Sequence, residues 1–445
     1  MRDILISTMN NISSFKNFYE IQKKYIDNKS KKGKKENRFG YLLNFYFSVL
    51  VNGSDKEKKR STFKNLKKLV EEHIQVISIE DNGVFFKAKS NNGLSSENIG
   101  TAAKKYMEYA EMPRIHAWNT LVMLVTRFEE YISNFLRYIY NKYPQKYLDT
   151  QSIVFSEISN IGIDEIRNKI ISREVDKKMR ESYKEWFAIF KEHKMVFELC
   201  DKELENLNEI YACRNIIVHN AGIINDIYIK SIPDTNYKIG EMVKVDDKYI
   251  KDAFETIKTI IFYVFIEGIK LNKKESDLYF DEIFNLAYDE LVAENYNTCK
   301  TIFYALSKNT MAKDLTKQMA MINFWIAKIE TNGLDSVRSE ITEYDVSALD
   351  KVFQFAKHVL LNEYDKAAPL MEELYTNKNL KLFEIEEWPL LKKYRKSVEY
   401  SHFKASHPEL CGVISSETTK ENLMDNTDAT QSVREELNTT QSDEK

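Results

Sequence analysis

The sequence predicts a mainly α-helical protein, and three observations support that prediction. Glycine and proline are scarce, 12 and 6 among 445 residues, so few turns are marked by them and long helices are favoured over a many-stranded sheet. Hydrophobic residues make up 43% of the chain and aromatic residues 12%, which is enough to build packed cores. Apolar residues recur at intervals of three and four in several long segments, the spacing of amphipathic helices.

Residues 1–110 are expected to form a basic N-terminal domain. Apolar spacing predicts helices near Phe15–Ile26 and Phe39–Val51, and two strand-like runs flank Asp81-Asn82-Gly83, a turn sequence typical of a β-hairpin. Two runs of cations predict a patch that attracts RNA phosphates: Lys31, Lys32, Lys34, Lys35, Lys58, Lys59 and Arg60. The alternative is that these cations lie on solvated loops between helices, because lysines without interleaved aromatic residues are poor evidence of specific recognition.

Residues 113–272 are expected to form a helical bundle that opens at Pro113. More polar helices are predicted over Asp164–Arg180 and Ser182–Lys194, and an apolar helix over Tyr249–Ile269 closes the bundle. Before that closing helix, residues 227–230 and 238–245 predict a small β-hairpin excursion. The first helix of the bundle ends before Pro144 and carries one apolar stripe: Leu121, Leu124, Val125, Phe128, Ile132, Phe135 and Ile139.

The stretch from Tyr211 to Gly222 contains the candidate catalytic residues. Apolar spacing upstream predicts an amphipathic helix, and Gly222 is expected to end it. Asn215 and His219 are four residues apart and share a face of this helix, while Arg214 lies about 140° from His219 around the axis. Arginine binds phosphate oxygens bidentately, and histidine exchanges a proton near neutral pH. This helix end is therefore expected to bind and cleave a phosphodiester.

Two further residue pairs bear on this motif. Glu129, on the first helix of the bundle, is a candidate for orienting Arg214; the alternative is that it is an exposed surface carboxylate. A second arginine and histidine with comparable spacing, Arg395 and His402, lie in a basic segment of the C-terminal region, where a solvated charged face is expected. Arg214 is instead flanked on both sides by long apolar helices, and this context favours it as the functional arginine.

A helical bundle with Arg-Asn-x-x-x-His near the end of a late helix, followed by an apolar closing helix, resembles the HEPN superfamily (higher eukaryotes and prokaryotes nucleotide-binding). The resemblance covers roughly residues 113–272. It implies a metal-independent endoribonuclease of the type found in prokaryotic toxins, phage-defence and abortive-infection proteins. Arg214 and His219 would be the catalytic pair, with Asn215 orienting the histidine. It also implies a homodimer or higher oligomer in which two motif helices form one composite site for RNA.

The main alternative is a catalytically inactive bundle of the same type, because some members of the superfamily serve as binding modules. The function would then rest with the C-terminal helical repeats, which would bind a partner protein. The sequence contains no Walker lysine loop, no GxSxG and no GxGxxG motif, which argues against ATPase, hydrolase and dehydrogenase activities.

Residues 276–405 are expected to form divergent tetratricopeptide-like helical repeats. Tyr296 and Tyr364 are 68 residues apart, twice the 34-residue period of such arrays, and apolar residues follow both at matching offsets. A repeat array offers a concave surface for a partner or trigger protein. The alternative is an irregular helical bundle that supports the central domain. Residues 415–445 are acidic and poor in hydrophobic residues, and are expected to be disordered.

No cofactor, metal or membrane contact is expected. The four cysteines have no metal-ligand spacing and are expected to be reduced, as in a cytoplasmic protein: Cys200, Cys213, Cys299 and Cys411. No signal peptide is recognised at the N-terminus, and the most apolar run, residues 260–266, is too short to span a bilayer. These observations predict a cytoplasmic location.

Overall fold

The computed structural model describes residues 1–80, 83–89, 95–149, 162–197 and 201–407, and the chain divides into two compact units. The mainly helical fold with one small hairpin is confirmed. The first unit is Met1–Tyr279 and the second is Phe280–Lys445. The elements of the first unit are α1 Arg2–Glu36, α2 Arg38–Asn52, α3 Asp55–Lys58, α4 Ser61–Glu71, β1 Ile74–Glu80, β2 Gly83–Ala88, α5 Ser96–Lys142, α6 Pro144–Leu148, α7 Ile163–Met179, α8 Tyr183–Glu192, α9 Asp201–Asn220, α10 Asp226–Ser231 and α11 Asp247–Gly268.

The hairpin packs on a small core of its own near the N-terminal end of α5. Strands β1 and β2 pair antiparallel from Ile74 opposite Ala88 to Glu80 opposite Gly83, with a register shift between Val76 and Ser78. The turn residues Asp81 and Asn82 lie outside the described residues. The core contains buried side chains from α2, α4, β1 and the start of α5: Leu43, Tyr46, Phe63, Leu66, Val70, Ile74 and Ile99.

Helix α5 joins this N-terminal core to the rest of the first unit. It begins at Ser96 and continues through Pro113, so the prediction that the bundle opens at Pro113 is wrong. Proline has no N–H and leaves the carbonyl four residues earlier, that of Tyr109, without its helical donor. The Ser30 hydroxyl of α1 donates to that carbonyl at 2.7 Å. This hydrogen bond from α1 satisfies the free carbonyl and offsets part of the cost of an internal proline, and the helix continues past it.

Helix α11 lies at the centre of the first unit. Every residue from Thr256 to Gly268 is buried, and the helix packs against α1, α5 and α9. The Tyr131 hydroxyl of α5 donates to the Ile261 carbonyl at 3.1 Å, and Lys258 reaches the Ser13 hydroxyl at 3.2 Å. This packing fixes the position of α9, which carries the candidate catalytic residues, relative to α5.

The β-hairpin excursion predicted between α9 and α11 is wrong. Residues 226–231 form helix α10, and the segment at 238–245 contributes one isolated bridge, between Ile223 and Met242. Ile227 is 67% exposed, so the alternating isoleucines do not form the buried face of a strand. The Asn225 side chain instead accepts a hydrogen bond from the Tyr228 N–H at 3.0 Å and caps a helix.

The second unit is helical throughout its described part. Tyr296 and Tyr364 each begin a helix of 13 residues, and Cys299 and Ala367 are buried three residues later in each. The helices are α12 Ser276–Val292, which begins in the first unit, α13 Tyr296–Lys308, α14 Asp314–Asn332, α15 Arg338–Glu343, α16 Lys351–Leu360, α17 Tyr364–Thr376, α18 Leu382–Glu387 and α19 Val398–Ser406. The expected disordered tail, 415–445, lies outside the described residues. Of the helices described, none combines the length and apolar character needed to cross a membrane.

Candidate active site

A cleft in the first unit contains part of the predicted catalytic set. It lies between α5, the turn from α7 to α8, and the middle of α9, and its volume is about 620 Å³. Arg214, Asn215 and Glu129 line it. The other lining residues are Met179, Arg180, Glu181, Ser182, Tyr183, Lys184, Trp186, Asn208, Tyr211, Ala212 and Ser231.

Arg214 is held in place by two contacts. Its Nη2 atom lies 2.5 Å from Oε1 of Glu129 on α5, and both side chains are partly buried, 22% and 29% exposed. Its guanidinium carbon lies 5.4 Å from the centre of the Tyr211 ring, within cation–π range. Since one carboxylate oxygen and one ring face hold the guanidinium, its remaining N–H donors are available to an anion in the cleft.

Tyr211 forms the floor of the cleft. Its ring stacks on that of Tyr183 with centroids 5.5 Å apart. Burial, and then the negative charge of Glu129, raise the pKa of the Tyr211 hydroxyl. That hydroxyl is buried and makes no hydrogen bond of acceptable geometry to the described residues. The Tyr183 hydroxyl donates to Asn208 Oδ1 at 3.2 Å, so the wall of the cleft is tied to α9.

Two cations at the turn between α7 and α8 have no acidic partner among the described residues. Arg180 and Lys184 are exposed, and neither makes an ion pair with any residue the structure describes. The two carboxylates of the cleft are neutralised, Glu129 by Arg214 and Glu181 by Lys178 at 2.9 Å. The cleft therefore has an excess of positive charge, which attracts anions.

His219 does not line the cleft. It is an exposed residue in the last turn of α9, one turn beyond Asn215, and among the described residues it has no hydrogen-bond or ion-pair partner. Five residues separate it from Arg214, about 7.5 Å along the helix axis and about 140° around it. Within one protomer, the guanidinium therefore faces α5 and the cleft while the imidazole faces solvent.

The end of α9 is shaped by a tight backbone turn. Ala221 and Gly222 both have positive φ, 49° and 75°, and the Gly222 N–H donates to the Ile216 carbonyl at 2.9 Å. A Cβ on Gly222 would lie 2.5 Å from Cζ2 of Trp118 on α5. Glycine is required here by both the φ angle and this contact, and the contact fixes where the last turn of α9, with His219, meets α5.

Behind the cleft, a partly buried acid links α9 to the rest of the first unit. The Glu209 carboxylate accepts hydrogen bonds from the Tyr228 hydroxyl at 3.0 Å and from the Tyr249 hydroxyl at 2.5 Å. Burial raises the pKa of Glu209. Burial also raises the pKa of the neighbouring Cys213 thiol to about 12, so the thiolate needed for nucleophilic chemistry is not formed at neutral pH. Cys213 is a packing residue.

The basic N-terminal residues lie elsewhere on the first unit. Lys31, Lys32, Lys34 and Lys35 lie on α1, so the alternative that these lysines occupy loops is wrong; none of them lines the cleft. Lys58 ends α3, and Lys59 and Arg60 form its junction with α4.

The sequence thus placed Arg214 and Asn215 together and left the contact of Glu129 with Arg214 as one of two alternatives, but Arg180, Lys184 and the two stacked tyrosines were missed. The available signal was the short polar run between two helices at 180–184, in which two cations flank a tyrosine.

Among the described residues, no group of three or more histidine, cysteine, aspartate or glutamate side chains is arranged to hold a metal ion. Comparison of the chain with protein-family models, curated proteins and solved structures gives no match.

Proposed function

We propose that the protein is an endoribonuclease of the HEPN type that cuts single-stranded RNA without a metal ion. The observation that supports this most is the cleft in which Glu129 and Tyr211 fix Arg214 beside the uncompensated cations Arg180 and Lys184. A fixed guanidinium in an electropositive cleft can bind the oxygens of a scissile phosphate and stabilise the negative charge that develops on them. As a toxin or phage-defence effector, such an enzyme would act in the cytoplasm.

The reaction is an internal transfer that consumes no water. The 2′-oxygen attacks the adjacent phosphorus while an imidazole of His219 accepts the 2′-hydroxyl proton. The bond from phosphorus to the 5′-oxygen breaks, and that oxygen takes a proton from a second, protonated imidazole. The products are a 2′,3′-cyclic phosphate and a free 5′-hydroxyl. Arg214 binds the non-bridging oxygens and stabilises the charge that develops on them.

A second copy of the chain completes the site in this proposal. His219 and Arg214 of one protomer face different directions on α9, whereas the partner's His219 can meet the cleft across a two-fold axis. Asn215 lines the cleft and shares a helix face with His219, so it marks the edge at which the two copies would meet. Its amide would orient the imidazole there.

Cleavage in the presence of excess EDTA tests the proposal directly. We expect purified protein to cut unstructured RNA under these conditions and to leave 2′,3′-cyclic phosphate ends. RNA of the same sequence with 2′-O-methyl groups should not be cut, because the nucleophile is blocked. Cutting of the methylated RNA, or cutting that EDTA abolishes, would refute the mechanism.

Replacing both Arg180 and Lys184 with alanine is expected to weaken the salt dependence of RNA binding. Each phosphate contact to a single strand contributes about 0.7 to the slope of log affinity against log salt concentration, so the slope should fall by about 1.4. Fluorescence anisotropy with uncleavable 2′-O-methyl RNA measures it. The matched control is Lys31→Ala with Lys32→Ala on α1. A slope that falls only in the α1 variant would assign RNA binding to the N-terminal patch.

The alternative is a catalytically inactive scaffold in which the Arg214–Glu129 ion pair only joins α9 to α5 and the helical repeats bind a partner protein. Exposure of His219 without a partner in its own protomer, among the residues described, is compatible with that function. Absence of any RNA product, with and without phage infection of expressing cells, together with stable binding of a protein partner, would favour the scaffold.

A further inference from the structure

A cavity in the second unit has the composition of a ligand site. It lies between α12, α14, α16 and α18, entirely within that unit, and its volume is about 370 Å³, within the range of small-molecule sites. Its walls are mostly apolar and include five aromatic residues: Phe284, Tyr288, Phe353, Phe383 and Trp388.

One buried polar side chain in this cavity lacks a partner. Asn323 lies on α14 and is 4% exposed, and it lines the cavity beside Met319 and Ile322. In the described part of the chain its side-chain amide makes no hydrogen bond. Buried amides are nearly always hydrogen-bonded, because the loss of water without a replacement partner destabilises the fold. The Asn323 amide is not among the fully enclosed polar groups that lack a partner, so it is reached from the cavity and can bond a polar atom of a ligand there.

The charge at the cavity is negative. Glu384 and Glu387 line it one turn apart on α18, and no lysine or arginine is among its described lining residues. One oxygen of Glu384 accepts from the Lys381 N–H at 2.7 Å, but neither carboxylate has an ion-pair partner among the residues described. Burial, and then the charges of Glu387 and Glu384, raise the pKa of the Tyr288 hydroxyl, while the charge of Arg395 opposes them.

We propose that this cavity binds a small organic cation, an amine carrying an apolar or aromatic group. The aromatic walls receive the apolar part and favour a cation at their faces. Glu384 and Glu387 bind the ammonium group, and the Asn323 amide bonds a polar atom deeper in the cavity. This site is separate from the proposed nuclease cleft and does not depend on it. Through this site the second unit would recognise a small organic amine.

Three probes of one shape test the proposal: 1-naphthylmethylammonium, 1-naphthylmethanol and 1-naphthylacetate. Isothermal titration of the full chain is expected to show the ammonium binding at least about tenfold more tightly than the acetate, with the alcohol between them. Equal affinity for all three probes, or no binding of the ammonium at millimolar concentration, would overturn the proposal.

Variants assign the contacts. The double variant Glu384→Gln with Glu387→Gln is expected to lower the affinity for the ammonium about tenfold and to change the affinity for the alcohol by no more than about twofold. Asn323→Leu should weaken the ammonium and the alcohol alike. The control is Glu343→Gln, which removes an exposed carboxylate of the same unit outside the cavity and should change nothing. An unchanged ammonium affinity in the double variant, with normal thermal unfolding, would refute the role of the carboxylates.

Discussion

His219→Ala is expected to lower the rate of RNA cleavage by about 10²–10⁴-fold, the usual contribution of a positioned acid–base group. The fold should not change, because the side chain is exposed and has no hydrogen-bond or ion-pair partner among the described residues. Rates of cleavage in EDTA and thermal unfolding of the same preparations measure both effects. A variant that cleaves at the wild-type rate would remove His219 from the mechanism, and one that unfolds would indicate a structural role.

A mixing experiment decides whether His219 acts within one protomer or across two. Equal amounts of wild type and His219→Ala, mixed and re-equilibrated, form wild-type homodimers as about a quarter of all dimers. Because the proposed site uses the imidazoles of both protomers, only these homodimers should cleave, and activity at constant total chain concentration should fall to about a quarter of the wild-type value. If His219 acts within one protomer, about half of the activity should remain. This outcome would preserve the chemistry but refute the composite site.

Gly40→Ala is expected to destabilise the first unit by about 2–4 kcal/mol. A Cβ at this position on α2 would lie 2.7 Å from the carbonyl carbon of Ala102 and 3.0 Å from the Cα of Ala103, both in α5. Backbone atoms cannot move aside as a side chain can, so the two helices must separate. Separation would also lengthen the hydrogen bond from the Asn44 amide to the Ala103 carbonyl, now 3.1 Å.

Gly100→Ala is the matched control for this change. Gly100 also lies in a helix, α5, but no neighbouring atom of the described residues comes within 4 Å of the position that a Cβ would take there. Alanine at this position is expected to stabilise the unit by about 0.5–1 kcal/mol, because glycine loses more backbone freedom on folding. Urea unfolding of the two variants beside wild type measures both values. Equal changes in the free energy of unfolding for the two substitutions would show that α2 and α5 are not in close contact at Gly40.

Several helices could be predicted from the sequence because their signal is local. Apolar spacing of three and four residues located α2, α7, α8, α9 and α11, and Asp81-Asn82-Gly83 located the hairpin. The prediction from the sequence failed at Pro113, where the local preference of proline predicts a helix boundary. The hydrogen bond that satisfies the carbonyl left free by this proline comes from Ser30, far away in the chain. It failed again at residues 226–231, where the capping Asn225 outweighs an alternating pattern.

The candidate site was predictable only in part, for a similar reason. Arg214 and Asn215 are adjacent in the chain, and their spacing from His219 places all three on one helix. The pairing of Arg214 with Glu129 depends on how α5 packs against α9, and the sequence left it as one of two alternatives. Arg180 and Lys184 reach the cleft through the turn between α7 and α8. No periodic pattern marks a turn, so these cations emerged only from the structure.

Helix α5 is one continuous rod from the hairpin core to the arginine cleft. Ile99 belongs to the hairpin core and Glu129 to the cleft, and about 45 Å of unbroken helix separates them. A continuous helix moves largely as one body over such a length. A macromolecule that binds the hairpin and displaces this end of α5 would therefore shift the Glu129 carboxylate relative to the Arg214 guanidinium. We therefore expect displacement of the hairpin end to change the contact between Glu129 and Arg214, and a crosslink between α1 and α5 near Ser30 to reduce that change.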